Sequence, residues 1–180
     1  GSRLSELDAE WARRVEEAEA RAASAGRGDV AGYLTLRASN DAARAVGCAW
    51  LVETFQMVAG EANRKGSSLT VSLEDAHRFR VGHSTMVGRR LTLRAGVRAL
   101  TVEAGWPRSP RDGVVRGGGL ARARVSHFGD RAAGEELLLA RGDNGTPCWL
   151  TLEGDEERAP RSREGFSESR ARAHVSRLLG

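Results

Sequence analysis

Residues 69–94 read LTVSLEDAHRFRVGHSTMVGRRLTLR, and the apolar positions in them recur every second residue. Leu69, Val71 and Leu73 alternate with Thr70 and Ser72; His77, Phe79 and Val81 alternate with Arg78 and Arg80; Leu91 and Leu93 alternate with Arg90, Thr92 and Arg94. Successive side chains of a strand point to opposite faces, so this alternation marks strands that bury one face. Glu74-Asp75, Gly82 and Gly88 read as the turns between them. The same pattern predicts strands over 97–104, 120–128, 136–141 and 148–152, separated by Ala95-Gly96, Gly129-Asp130 and Asp143-Asn144-Gly145. Connections this short join antiparallel neighbours, which makes a meander.

Outward from that block the period becomes helical. Ala42, Ala45, Val46, Ala49, Trp50, Phe55, Val58 and Ala62 cover a broad face between a cap at Ser39 or Asn40 and a stop at Gly66. That predicts a central buried helix over 41–65. Leu4, Leu7, Trp11, Val15, Ala18 and Ala22 form an amphipathic stripe that ends at Gly26 and Gly28, and Tyr33 to Arg37 alternates like a short strand or extended connection. Ser167 can cap a last helix over 168–179 with Ala171, Val175 and Leu178 inward. The expected fold is therefore α+β: an antiparallel sheet of five to seven strands packed on a central helix, with N-terminal and C-terminal helices. Residues 1–30 form an N-terminal helix and linker, and 31–180 a single domain. Gly1-Ser2 reads as a remnant of tag removal, and the whole as a piece of a larger bacterial protein.

With 180 residues, 40% of them apolar and 29% charged, the chain is long enough to bury a core without staples. Only Cys48 and Cys148 occur, with no disulfide framework and no Cys-x-x-Cys spacing, which fits a reducing cytoplasm. No apolar run approaches the ~20 residues of a bilayer span, so no membrane role is expected. Lys65 is the single lysine among 28 basic residues. That bias points to a GC-rich genome, and weakens any argument that arginine was chosen over lysine for its chemistry.

The charge is unevenly placed. Between His77 and Arg124 eleven arginines face two acids, Glu103 and Asp112, although the whole chain carries only +4. Strand alternation puts Arg78 with Arg80, Arg90 with Arg94, and Arg122 with Arg124 on shared sides. Arg108, Arg111 and Arg116 lie in the long connection 106–119, which reads as a mobile arm or a tolerated loop rather than a phosphate-binding P-loop, because it lacks the strand-to-helix context and the Lys-Ser/Thr ending. A guanidinium fork suits phosphate, so these nine arginines are the expected contacts for DNA, RNA or another polyanion. The opposing view is that a solvated sheet face has simply been filled with arginine. Phe79 and Phe128 read as core residues, which leaves no aromatic platform for bases.

Two other classes remain open. The N-terminal stripe could dock on a partner or a second copy, making the chain an interaction or oligomerisation domain. His77, His83 and His127, with Glu103 nearby, supply the acid–base parts of a small metal-independent nuclease, although nothing in the spacing brings them together. The sequence names no catalytic residue, no metal ligand set and no cofactor.

Overall fold

The structure is a computed structural model that describes residues 2–24, 28–152 and 165–180. Two helices, α1 (Ser2–Ser24) and α2 (Gly28–Arg64), precede six strands: β1 (Thr70–Val81), β2 (Ser84–Ala95), β3 (Arg98–Trp106), β4 (Ala121–His127), β5 (Asp130–Arg141) and β6 (Pro147–Leu152). A last helix, α3 (Glu168–Leu179), returns to the sheet. The strands pair antiparallel in sequence order, a single six-stranded meander. None of the described helices is long and apolar enough to cross a membrane.

One face of the sheet makes the core. Leu91, Leu93, Leu100, Val102, Ala104, Ala121, Ala123, Val125, Leu137, Leu139 and Trp149 are all buried against Leu51, Val52, Phe55, Val58 and Ala59 of α2. The helix comes unusually close at Gly47, where an added Cβ would sit 2.7 Å from the Leu139 side chain; its carbonyl accepts the indole N–H of Trp149 at 2.9 Å. α1 lies on α2, with Val15 and Ala18 buried and Trp11 stacked on Trp50 at 5.0 Å. That part of the N-terminal stripe is thus covered by the chain itself; the side chains of Leu4, Leu7 and Ala22 lie outside the described residues, as do Gly26 and residues 153–164. Both cysteines are free, and burial pushes the Cys48 thiol up to about 12.

Several sequence expectations need correction. Tyr33 to Arg37 is helical, because α2 starts at Gly28 and runs unbroken to Arg64. Ser39 and Asn40 do not cap it; their side-chain oxygens accept hydrogen bonds from Arg141 at 3.3 and 3.2 Å, so their polar groups serve a tertiary contact. Glu74-Asp75 is no turn but part of an irregularity in one long strand, between Glu74 and His77, with Ala76 at a φ of 54°. Gly88 is not a turn either. It faces Gly105 across the ladder, so tightly that a Cβ on Gly88 would lie 1.8 Å from the Ala104 carbonyl oxygen.

The bulge and the glycine pair lie where Phe79, Val81 and Met86 gather in a second small apolar cluster. Val115 of the 107–120 connection packs onto it, and the Ser84 hydroxyl donates to the Val114 carbonyl at 2.9 Å. The connection is therefore docked rather than a free arm. It contains two short 3-10 turns, Pro110–Asp112 and Arg116–Gly118.

Two substitutions test this packing. Trp50→Ala removes a buried indole and its stacking on Trp11, and urea unfolding should show a loss of about 3–5 kcal/mol. Gly88→Ala forces a methyl into backbone atoms, which cannot move as a side chain can, and should cost at least about 1–3 kcal/mol. A loss under about 1 kcal/mol in either variant contradicts the packing described.

Candidate acid–base site at one end of the sheet

The face of the sheet opposite the helices carries Arg90, Arg94, Arg122 and Arg124 of the arginines picked out from the sequence, but not as a basic surface. Cross-strand register places Glu74 opposite Arg90, Arg90 opposite Glu103, Glu103 opposite Arg124, and Arg124 opposite Glu136. Charges thus alternate in sign across five strands, from β1 to β5. Arg90 bonds Glu74 at 2.8 Å, and Arg124 bonds Glu136 at 2.6 Å while lying 3.8 Å from Glu103. His77 closes the row, its Nε2 2.6 Å from Glu103 and its Nδ1 3.9 Å from Glu74.

The remaining expected arginines scatter. Arg122 is only 5% exposed and donates to the Leu137 carbonyl and to Glu136, so it is no surface contact for an external anion. Arg78 pairs with Asp112 at 3.0 Å. Arg108 lies 3.7 Å over the Trp106 ring and donates to the Val87 carbonyl. Arg80, Arg94, Arg111 and Arg116 are exposed. His83 is exposed beside the β1–β2 turn, and His127 pairs with neither it nor His77. The three histidines do not converge.

His127 has other partners. It ends β4, where its Nε2 lies 2.8 Å from Nδ1 of His174 on α3; the other nitrogen of His174, Nε2, bonds a carboxylate oxygen of Glu135 on β5. Glu135 also accepts from Arg170 at 2.7 Å. His174 is held by ring contacts with Phe55 and Phe166, each at 6.3 Å, and by stacking on His127 at 5.1 Å.

Protonation follows from this geometry. Burial opposes charge on Glu135, but the hydrogen bonds from His174 and Arg170 outweigh it and hold the carboxyl below its usual range. Ionised Glu135 can only accept, so His174 Nε2 carries a proton, and in the singly protonated form of that ring Nδ1 accepts. His127 Nε2 must then donate, which leaves His127 Nδ1 as a bare lone pair. Burial, with Arg177 adding positive charge, lowers the His127 pKa against the opposing pull of Asp130, so the ring is neutral at neutral pH. The Glu135–His174–His127 chain ends at His127, which lines two shallow hollows of about 470 and 290 Å³, the larger shared with Glu135 and Glu136.

Charges of both signs surround that base, with Asp130, Glu135 and Glu136 beside Arg124 and Arg131 in the larger hollow and Asp130 beside Arg98 and Arg177 in the smaller. The β2–β3 and β4–β5 turns lie side by side, since the Phe128 N–H donates to the Ala99 carbonyl at 2.9 Å. Arg98 and Arg177 line the smaller hollow and Arg131 the larger, and Arg94 faces Ala99. Arg177 is tied to Asp130 at 2.6 Å. No ion-pair partner stands beside Arg94, Arg98 or Arg131 among the described residues. Phe128, expected in the core, is 80% exposed because the turn carries it past the end of β4, and Val97 is 90% exposed on the neighbouring turn.

No family model, curated protein or solved structure matches the chain. Sequence reasoning noticed His127 but missed Glu135 and His174. The usable signal was His174 itself, three residues after Ala171 on the inward face of the last helix, where a polar ring needs a partner.

The histidine chain predicts a pH dependence of stability. A histidine whose folded pKa lies below its ordinary 6.5 binds fewer protons than the unfolded chain, so stability falls as pH drops through 6.5 toward the lowered value. Glu135, also lowered, adds a second loss below its ordinary 4.5. The urea midpoint should fall between pH 7 and 5, and His127→Gln should flatten that segment. An unchanged slope in the variant contradicts the assignment.

Proposed function

We propose that the domain binds a phosphate-rich polyanion, RNA or DNA, through the end of the sheet formed by the β2–β3 and β4–β5 turns. The supporting observation is Phe128, 80% exposed and lining one hollow with Arg98, Arg177 and Asp130, while Arg94 faces Ala99 on the neighbouring strand and Arg131 lines the adjoining hollow with Asp130, Glu135 and Glu136. An exposed ring can stack on a base and guanidinium groups can grip the flanking phosphates. This moves the contact surface from the sheet face to its end, and of the nine arginines singled out in the sequence only Arg94 lies there. Arg78, Arg90, Arg122 and Arg124 are engaged with acids of the chain itself.

An interaction-domain role through the N-terminal helix has less support, because Trp11 and Val15 are already buried. Fluorescence anisotropy with labelled RNA and DNA oligonucleotides over a salt series tests the binding reading. Affinity should fall steeply with salt, and the double variant Arg98→Gln/Arg131→Gln should flatten the log–log slope by about 1–2. Phe128→Ala should cost about 1–3 kcal/mol of binding without altering the urea midpoint. Absence of binding to either nucleic acid at ~50 mM salt, where nonspecific affinity is strongest, would rule this reading out.

A further inference from the structure

We propose that His127 is a general base that cleaves RNA by transferring the phosphodiester to the neighbouring 2′-hydroxyl. The inference rests on nucleic acid being held at this end of the sheet, and goes beyond binding because the surface has a base at its centre. Many arginine-rich surfaces need no buried relay. Here a carboxylate, a buried imidazole and a half-buried imidazole are aligned across β5, α3 and β4, and the last ring lines two surface hollows.

A proton arriving at His127 Nδ1 can pass through the ring. As Nδ1 gains it, Nε2 can release its own proton to His174 Nδ1, and the positive charge settles on His174 against Glu135. The arrangement follows the logic of a carboxylate that orients and supports a catalytic imidazole, extended by one ring. In the reaction the 2′-oxygen bonds to phosphorus while the bond from phosphorus to the 5′-oxygen breaks. The 2′-hydroxyl proton goes to His127 Nδ1, the 5′-oxygen leaves with a proton from water, and His127 returns its proton to solvent. The products are a 2′,3′-cyclic phosphate and a 5′-hydroxyl, with no other reactant consumed. Arg98, Arg131 and Arg177 stand where they can offset the charge that builds on the phosphoryl oxygens.

RNA is the substrate class because the nucleophile is its own 2′-hydroxyl; DNA would bind and survive. His174 and Glu135 are positioning residues: each acts on the 2′-hydroxyl through His127, although Glu135 also lines the larger hollow and both line a neighbouring one with Arg170. The charged and titratable groups around His127 are His174 and Arg177 on α3 and Asp130 at the start of β5, with Arg131, Glu135 and Arg98 lining the same hollows.

The test uses the whole chain with a fluorophore–quencher RNA oligonucleotide in EDTA, a 2′-O-methyl version of it and a DNA version. The expected result is cleavage of the RNA alone, with a cyclic phosphate product and a rate that rises with pH through the His127 ionisation. His127→Gln should slow cleavage by about 100-fold or more while anisotropy still shows binding within about twofold. Glu135→Gln should shift the pH profile without weakening binding. RNA bound but intact from pH 5 to 8 overturns the catalytic inference and leaves the binding reading standing. So does equal cleavage of the 2′-O-methyl oligonucleotide, or an undiminished rate in His127→Gln. Absence of binding by the unmodified chain overturns both.

Discussion

The structure depends on burying α2 against one face of the sheet. Leu51, Val52, Phe55 and Ala59 have no solvent exposure, and the opposing strand residues from Leu91 to Trp149 have almost none. Each such side chain withdrawn from water contributes about 1.5–3 kcal/mol, so no other interaction in the molecule approaches this sum. The helix cannot shift without moving Gly47 off Leu139 and Trp149. Phe55 also reaches past the sheet to Phe166, at 6.0 Å, and so fixes where α3 lands. His174 is placed by that chain of contacts, and the site follows from the core.

The opposite face obeys a different constraint. A strand ladder slipped by one residue would turn every core side chain to solvent, so register is set by the buried face. With that register fixed, Arg90, Glu103, Arg124 and Glu136 fall in one row across four strands. Each cross-strand ion pair is worth only about 0.2–1 kcal/mol. Their consequence is electrostatic: they neutralise the arginines in the middle of the sheet and leave net positive charge at its end.

Much of the fold was legible. Gly82, Gly96, Gly129 and Gly145 all take positive φ at the turns expected of them, and the last helix spans 168–179 as its periodicity indicates. Local signals misled where a tertiary contact outweighed them. Ser39 and Asn40 have the chemistry of a cap, yet bond Arg141 a hundred residues away, and Gly88 looks like a turn but answers to Gly105. The site was less legible for the same reason. An arginine excess is visible in the chain, while its neutralisation depends on which acid lies across the ladder. His127 and His174 are 47 residues apart and His174 and Glu135 are 39, and only the return of α3 onto the sheet joins them.

Nitrogen-15 NMR of the histidine rings reads the direction of the hydrogen bonds in that chain directly. At neutral pH the account predicts protons on Nε2 of both His174 and His127, with His127 Nδ1 bare. A proton on His127 Nδ1 with its Nε2 bare would reverse the chain, remove the base from the surface and contradict the account.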